Sequence, residues 1–142
     1  MKRHTDDRTD FAALAEFRYQ IRRFLSFSEA AARKMRIEPQ QHQALLVVKG
    51  LHGTRTTSVG ALAERLHIRH HSAVELVDRL QRRRFISRSR SGHDRRQVQL
   101  ALTTRGEKIL KALSRVHREE LRSNGPKLVK ALRAAIRGQR RG

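Results

Sequence analysis

Between Ser58 and Leu102 the apolar residues change their period, and this change restricts the possible folds more than any other feature of the chain. Val59, Leu62, Ala63 and Leu66 recur at helical spacing, as do Val74, Val77 and Leu80. From Gln97 onward the pattern alternates instead. Val98, Leu100 and Leu102 fall on one side and Gln97, Gln99 and Ala101 on the other, as in a half-buried strand. Ile86, Arg88 and Arg90 can supply a partner strand, with Ser91-Gly92-His93-Asp94 as the turn. A hairpin this small needs helices beneath it. The segment therefore predicts a short helix capped by Ser58, a tight turn at His67-Ile68-Arg69, a second helix ending near Arg84, and a two-stranded wing. Ser72 and Glu75 have capping-box spacing, which puts the start of the second helix between Arg69 and Ser72.

The flanks read as helix. Phe11, Leu14, Phe17, Ile21, Phe24 and Leu25 share one face of a helix from Asp10, its expected N-cap, to about Met35. A helix of that length exceeds what a small core covers, so its stripe suggests packing against another chain. Pro39 suits the first turn of a further helix with Leu45, Leu46, Val48 and Leu51 inward and Gly53 at its end. Thr103 or Thr104 opens a helix through Ile109, Leu110, Leu113, Val116, His117 and Leu121. Asn124-Gly125-Pro126 is expected to break it, leaving Leu128, Leu132 and Ile136 to a last helix. The expected fold is mainly α with a small antiparallel β-wing, in three parts. Residues 1–36 form an N-terminal dimerisation helix, 37–103 a winged helix-turn-helix module, and 104–142 C-terminal dimerisation helices with a basic tail.

Charge points to a partner. The 142 residues carry 33 Lys and Arg against 13 Asp and Glu, a formal net charge of +20. Self-repulsion on that scale favours an anionic partner, and phosphate backbones release counterions when neutralised. No apolar stretch approaches the ~18 residues of a membrane span. Asp6, Asp7 and Asp10 stand where a secretion signal would need an apolar core, so a cytoplasmic location is expected. Cysteine is absent, which removes disulfides and thiolate chemistry together.

The helix-turn-helix order gives the basic residues a task. The second helix can enter a major groove, with Arg69, His70, His71 and Ser72 at its leading end and Glu75 and Arg79 on its open side. Arg88, Arg90, Arg95 and Arg96 of the hairpin can reach the minor groove or backbone, where narrow grooves attract arginine. His67, His70 and His71 invite a metal reading, but adjacent histidines diverge on a helix and no carboxylate cluster completes a set, so no metal or other cofactor is expected. Glu75 and Asp78 could be imagined as paired catalytic carboxylates; intrahelical ion pairing suits their spacing better. No nucleophile, base and oxyanion set can be assembled, so an enzyme is not expected. RNA binding lacks an aromatic stacking motif.

Asp94-Arg95-Arg96 followed by Leu102-Thr103-Thr104-Arg105-Gly106 resembles the D-x-R…L-T-x-x-G signature of the MarR family of bacterial transcriptional regulators. Leu62-Ala63-Glu64-Arg65-Leu66 and the run from Val74 to Leu80 are similar to that family's two helix-turn-helix helices. The resemblance covers about residues 10–122. It implies a homodimer built from the terminal helices, one winged module per subunit, double-stranded DNA as partner, and a pseudo-palindromic operator. It further implies that Asp94 orients the wing and tethers Arg96 as a DNA contact. Many members release DNA when a small, often aromatic anion binds, and Tyr19, Arg22 and His42 are the candidates to line such an effector pocket. Three features depart from the pattern. Arg84 stands where the family usually has glycine, no cysteine is available for a peroxide switch, and the charge is unusually high. The expected function is thus a sequence-specific transcriptional regulator, a repressor, on the bacterial chromosome. The alternative is a chromosome-coating protein with little sequence preference.

Overall fold

A computed structural model describes residues 8–51, 57–90 and 98–138. In chain order the elements are α1 (Arg8–Lys34), α2 (Pro39–Leu51), α3 (Val59–Leu66), α4 (His70–Arg82), β1 (Ile86–Ser89), β2 (Gln99–Leu102) and α5 (Thr104–Arg137). They fall into two units: one of residues 32–114, the other pairing residues up to 31 with those from 115 onward.

In the first unit, Leu45 and Val48 of α2, Leu62 of α3, Leu76, Val77 and Leu80 of α4, and Leu110 and Leu113 of α5 are buried together with Phe85, Ile86 and Leu100. Pro39 opens α2, and Ser58 caps α3 by accepting the Ala61 amide at 3.1 Å, both as expected. The sheet pairs Ile86 with Leu102 and Arg88 with Leu100, antiparallel. Leu100 also donates its amide to the Thr57 carbonyl at 2.9 Å, which extends the ladder by one residue beyond the hairpin. Arg90, expected within the first strand, lies just past its end at Ser89. Asp10 is a second correction, since α1 begins at Arg8 and places it in the first turn rather than at the cap. Gly53 lies outside the described residues.

Besides α5, which ends on Gly138 (φ 55°), three of the described helices end on a left-handed residue that is not glycine: Arg36 (φ 60°), His67 (φ 52°) and Arg84 (φ 61°). Each of these three closes the same way. The following residue donates its amide five positions back, Ile37 to Ala32 at 3.1 Å, Ile68 to Ala63 at 3.0 Å and Phe85 to Leu80 at 2.9 Å. This is the Schellman pattern, with an apolar residue just beyond the cap. Left-handed backbone costs a side chain about 1 kcal/mol. Burial of Ile37 and Phe85, each 2% exposed, offsets that cost, and the Arg36 and Arg84 guanidinium groups suit the negative end of a helix dipole.

Thr103 explains why the wing and α5 meet where they do. Its Oγ1 accepts the Gly106 amide at 3.0 Å, and its carbonyl accepts the Glu107 amide at 2.9 Å, so Thr103 rather than Thr104 caps α5. The same hydroxyl donates to the Arg84 carbonyl at 2.5 Å, and the Thr103 amide donates to Phe85 at 3.0 Å. Gly106 is required here, because a Cβ would stand 2.1 Å from the Phe85 carbonyl oxygen.

In the second unit, Phe24 and Phe27 of α1 present edges to the His117 ring at 6.1 and 5.6 Å, and His117 Nε2 meets the Oγ of buried Ser28 at 2.8 Å. The expected break at Asn124-Gly125-Pro126 does not occur: α5 runs through it with Pro126 inside. Pro126 removes one helical donor, but Gly125 before it has no Cβ to clash with the ring. Asn124 spends its side-chain amide on Glu120 at 2.7 Å instead of on a turn. Phe24 packs with Leu121, Gly125 and Leu128 around one small cavity, so burial on both sides of the proline sustains the helix. Phe11, Leu14, Leu25, Leu121, Val129, Leu132 and Ile136 are left 40–75% exposed.

Candidate nucleic-acid interface

The helix-turn-helix is formed by α3 and α4. Helix α4 buries Ala73, Leu76, Val77 and Leu80. Val74, expected in that core, is only half-buried and lines an open cleft with Val59, Val98 and the wing residues Arg88, Ser89 and Arg90. The reason is one of phase: the buried sector centres on Ala73, Leu76, Val77 and Leu80, which leaves Val74 at its margin.

Arg69 is the N-cap of α4, with extended backbone and no side-chain capping bond, so its guanidinium is not tied to the helix end. His70 and His71 are exposed, and Ser72 is half-buried inside the first turn, too late to act in a capping box. No acidic residue occupies that turn. The first amides of α4 and the Arg69 side chain therefore form a cationic end suited to phosphate or to base edges. Glu75 and Arg79 follow on the exposed side.

Asp78 pairs with Arg88 of β1 at 2.6 Å rather than within its own helix, which corrects the intrahelical pairing expected for it. This pair joins the root of the wing to the open face of α4. Both partners are about a third exposed, so it contributes at most about 1 kcal/mol. Arg90 is exposed beside the same cleft. Asp94, Arg95 and Arg96 lie outside the described residues. Of the proposed effector residues, Tyr19 is 53% exposed on α1 with Arg23 6.0 Å from its ring, and Arg22 is exposed on the same helix. His42 is buried in α2, only 4% exposed.

Sequence reasoning missed the arginine that fixes the far end of α4. Arg83 donates to Gln41 Oε1 at 2.8 Å and to the Arg36 carbonyl at 2.5 Å, and it stands 4.8 Å from the Phe85 ring centroid. Arg105 approaches the same ring at 5.1 Å. Such stacking holds Phe85 at the junction of α4, wing and α5. The signal available was buried Gln41, but its partner is 42 residues away.

A helix-turn-helix with a hairpin laid against its second helix defines a winged helix protein. The MarR family model matches residues 37–97. Residues 37–97, less than half of the chain, are thus similar to the MarR family over α2, α3, α4 and β1. Solved structures agree on the fold. A MarR family protein from Bacillus stearothermophilus is similar with a TM-score of 0.72 and 23% identity, over 82% of this chain and 79% of that one. Wild-type MarR from E. coli gives 0.65 and 17%, over 80% and 79%. MepR of S. aureus, in complex with DNA, gives 0.64 and 20%, over 80% of each chain. No curated protein matches the sequence significantly. Among the described residues no helix is long and apolar enough to cross a membrane, and no three His, Cys, Asp or Glu side chains gather as a metal site would require.

Proposed function

We propose that this chain is a sequence-specific transcriptional regulator that represses its target genes from a pseudo-palindromic operator, acting as a homodimer on the bacterial chromosome in the cytoplasm. The observation that carries the reading is the free cationic end of α4, with Arg69, His70 and His71 exposed above a fully apolar buried face. In this reading Arg69, His70, His71 and Ser72 enter the major groove, with Glu75 and Arg79 behind them. Arg88, Arg90, Arg95 and Arg96 serve the wing, Asp94 orienting Arg96. Residues 37–103 are the DNA-binding module, and residues 1–36 and 104–142 dimerise through the apolar side chains that α1 and α5 leave exposed. A small anionic or aromatic effector would release the DNA. The DNA bound by MepR supports the partner class, and the MarR family match supports a regulator rather than an enzyme.

Selection from a random duplex library at near-physiological salt tests this reading. A palindromic winner bound ~1000-fold better than a scrambled control is the expected result. Equal binding of both would favour a chromosome-coating role, the reading that the +20 charge supports. Arg96→Ala is expected to weaken operator binding by ~1–3 kcal/mol in a titration at fixed salt. An unchanged affinity would remove Arg96 from the contact set.

A further inference from the structure

Helix α5 carries a second cationic surface that the helix-turn-helix does not use. From residue 115 its basic side chains advance in steps of three or four: Arg115, Arg118, Arg122, then past Pro126 to Lys130, Arg133 and Arg137. That spacing puts all six on one face. All six are exposed, and among the described residues none of them is in an ion pair. Glu119 and Glu120 are the last acidic residues on the helix, and Glu120 already accepts the Asn124 amide. A solvated helix face ordinarily interleaves both signs at such spacings. This one does not.

Exposed Leu121 and Leu132 lie on an adjoining sector and Ala131 is buried opposite, while Val129 and Ile136 stand among the basic side chains, Val129 in one cleft with Lys130, Arg133 and Arg137. A homodimer seam can use the apolar sector, but drawing the stripe into it would set like charges against each other. An anionic membrane surface is also a poor match, because an interfacial helix must offer its apolar face to lipid, and Ala131 and Leu128 face inward here. What remains is an extended polyanion. From Arg115 to Arg137 the stripe runs roughly 33 Å at 1.5 Å per residue, close to one turn of duplex DNA.

We infer that this face of α5 is a second site for duplex DNA, one that contacts phosphates and reads no sequence. It does not depend on the operator reading above.

The test uses the full-length protein and a scrambled duplex. Replacing Arg118, Arg122, Arg133 and Arg137 by Gln removes four charges and keeps good helix formers. Affinity for the scrambled duplex is expected to fall at least ~10-fold, and the slope of log K against log salt to flatten by about 3 to 4. The loss should fall equally on a selected operator, so the ratio between the two stays constant. Lysine at the same four positions should restore both quantities. If the fourfold variant misfolds by circular dichroism, Arg122→Gln alone should flatten the slope by about 1. Unchanged affinity and slope would overturn the inference. So would equal retention of the unaltered protein on phosphatidylserine vesicles, if the Gln variant lost it. Failure of the operator reading looks different: no motif is selected, yet the dependence on the α5 charges persists.

Discussion

The two units of this chain solve the problem of a small core differently. Residues 32–114 close on themselves: fifteen or so apolar side chains are buried, and the turns between helices are pinned by Schellman closures, by Thr103 and by Arg83. The unit formed by α1 and the later part of α5 is more open. Few of its apolar side chains are fully buried, and seven large ones are at least 40% exposed. Burial of such side chains contributes ~1.5–3 kcal/mol each when complete. The first unit realises that contribution, whereas the second leaves much of it unrealised.

Substitutions can break this contrast. Gly106→Ala should be the most damaging in the closed unit, because its Cβ meets backbone and not a flexible side chain. A loss of about 3 kcal/mol is expected in urea unfolding; a loss below about 1 kcal/mol would mean that the junction yields easily. Leu132→Glu addresses the open unit. It should leave the folded monomer nearly unaffected and weaken self-association by about 2 kcal/mol per dimer, roughly thirtyfold, in sedimentation equilibrium. If monomer stability fell and association did not, the exposed sector would not be a seam.

Two smaller changes sharpen the comparison. Arg84→Gly removes a side chain from a left-handed residue whose own side chain is exposed, and should raise stability by about 1 kcal/mol. A fall would show that the guanidinium contributes more than the strain costs. Asp78→Asn breaks the pair with Arg88 and should cost at most about 0.5 kcal/mol, vanishing in ~1 M salt. A larger loss, insensitive to salt, would assign Asp78 a role beyond that pair.

Local patterns were legible in the sequence. Ser58, Pro39 and the alternation around Leu100 predict a cap, a helix start and a strand, because each acts through residues within one turn or one pleat. The errors share a cause. Asn124-Gly125-Pro126 reads as a break because turn chemistry is a local rule, and packing of Phe24 against both sides of it overrides that rule. Arg84 shows the same competition, since burial of Phe85 holds the left-handed turn that glycine would favour. In the candidate interface, the exposed end of α4 follows from its period. The links from Asp78 to Arg88 and from Arg83 to Gln41 cross elements, and no spacing rule reports them.

The left-handed helix ends bear on how long a molecule lasts. Three non-glycine caps at about 1 kcal/mol each leave the native state some 3 kcal/mol below what the same contacts could support, on the order of a hundredfold in unfolded fraction. In a cell, proteases act on that fraction, and a ligand that binds only the folded form depletes it. A copy held on DNA would therefore outlive a free one, and protein in excess of its binding sites would be removed by turnover.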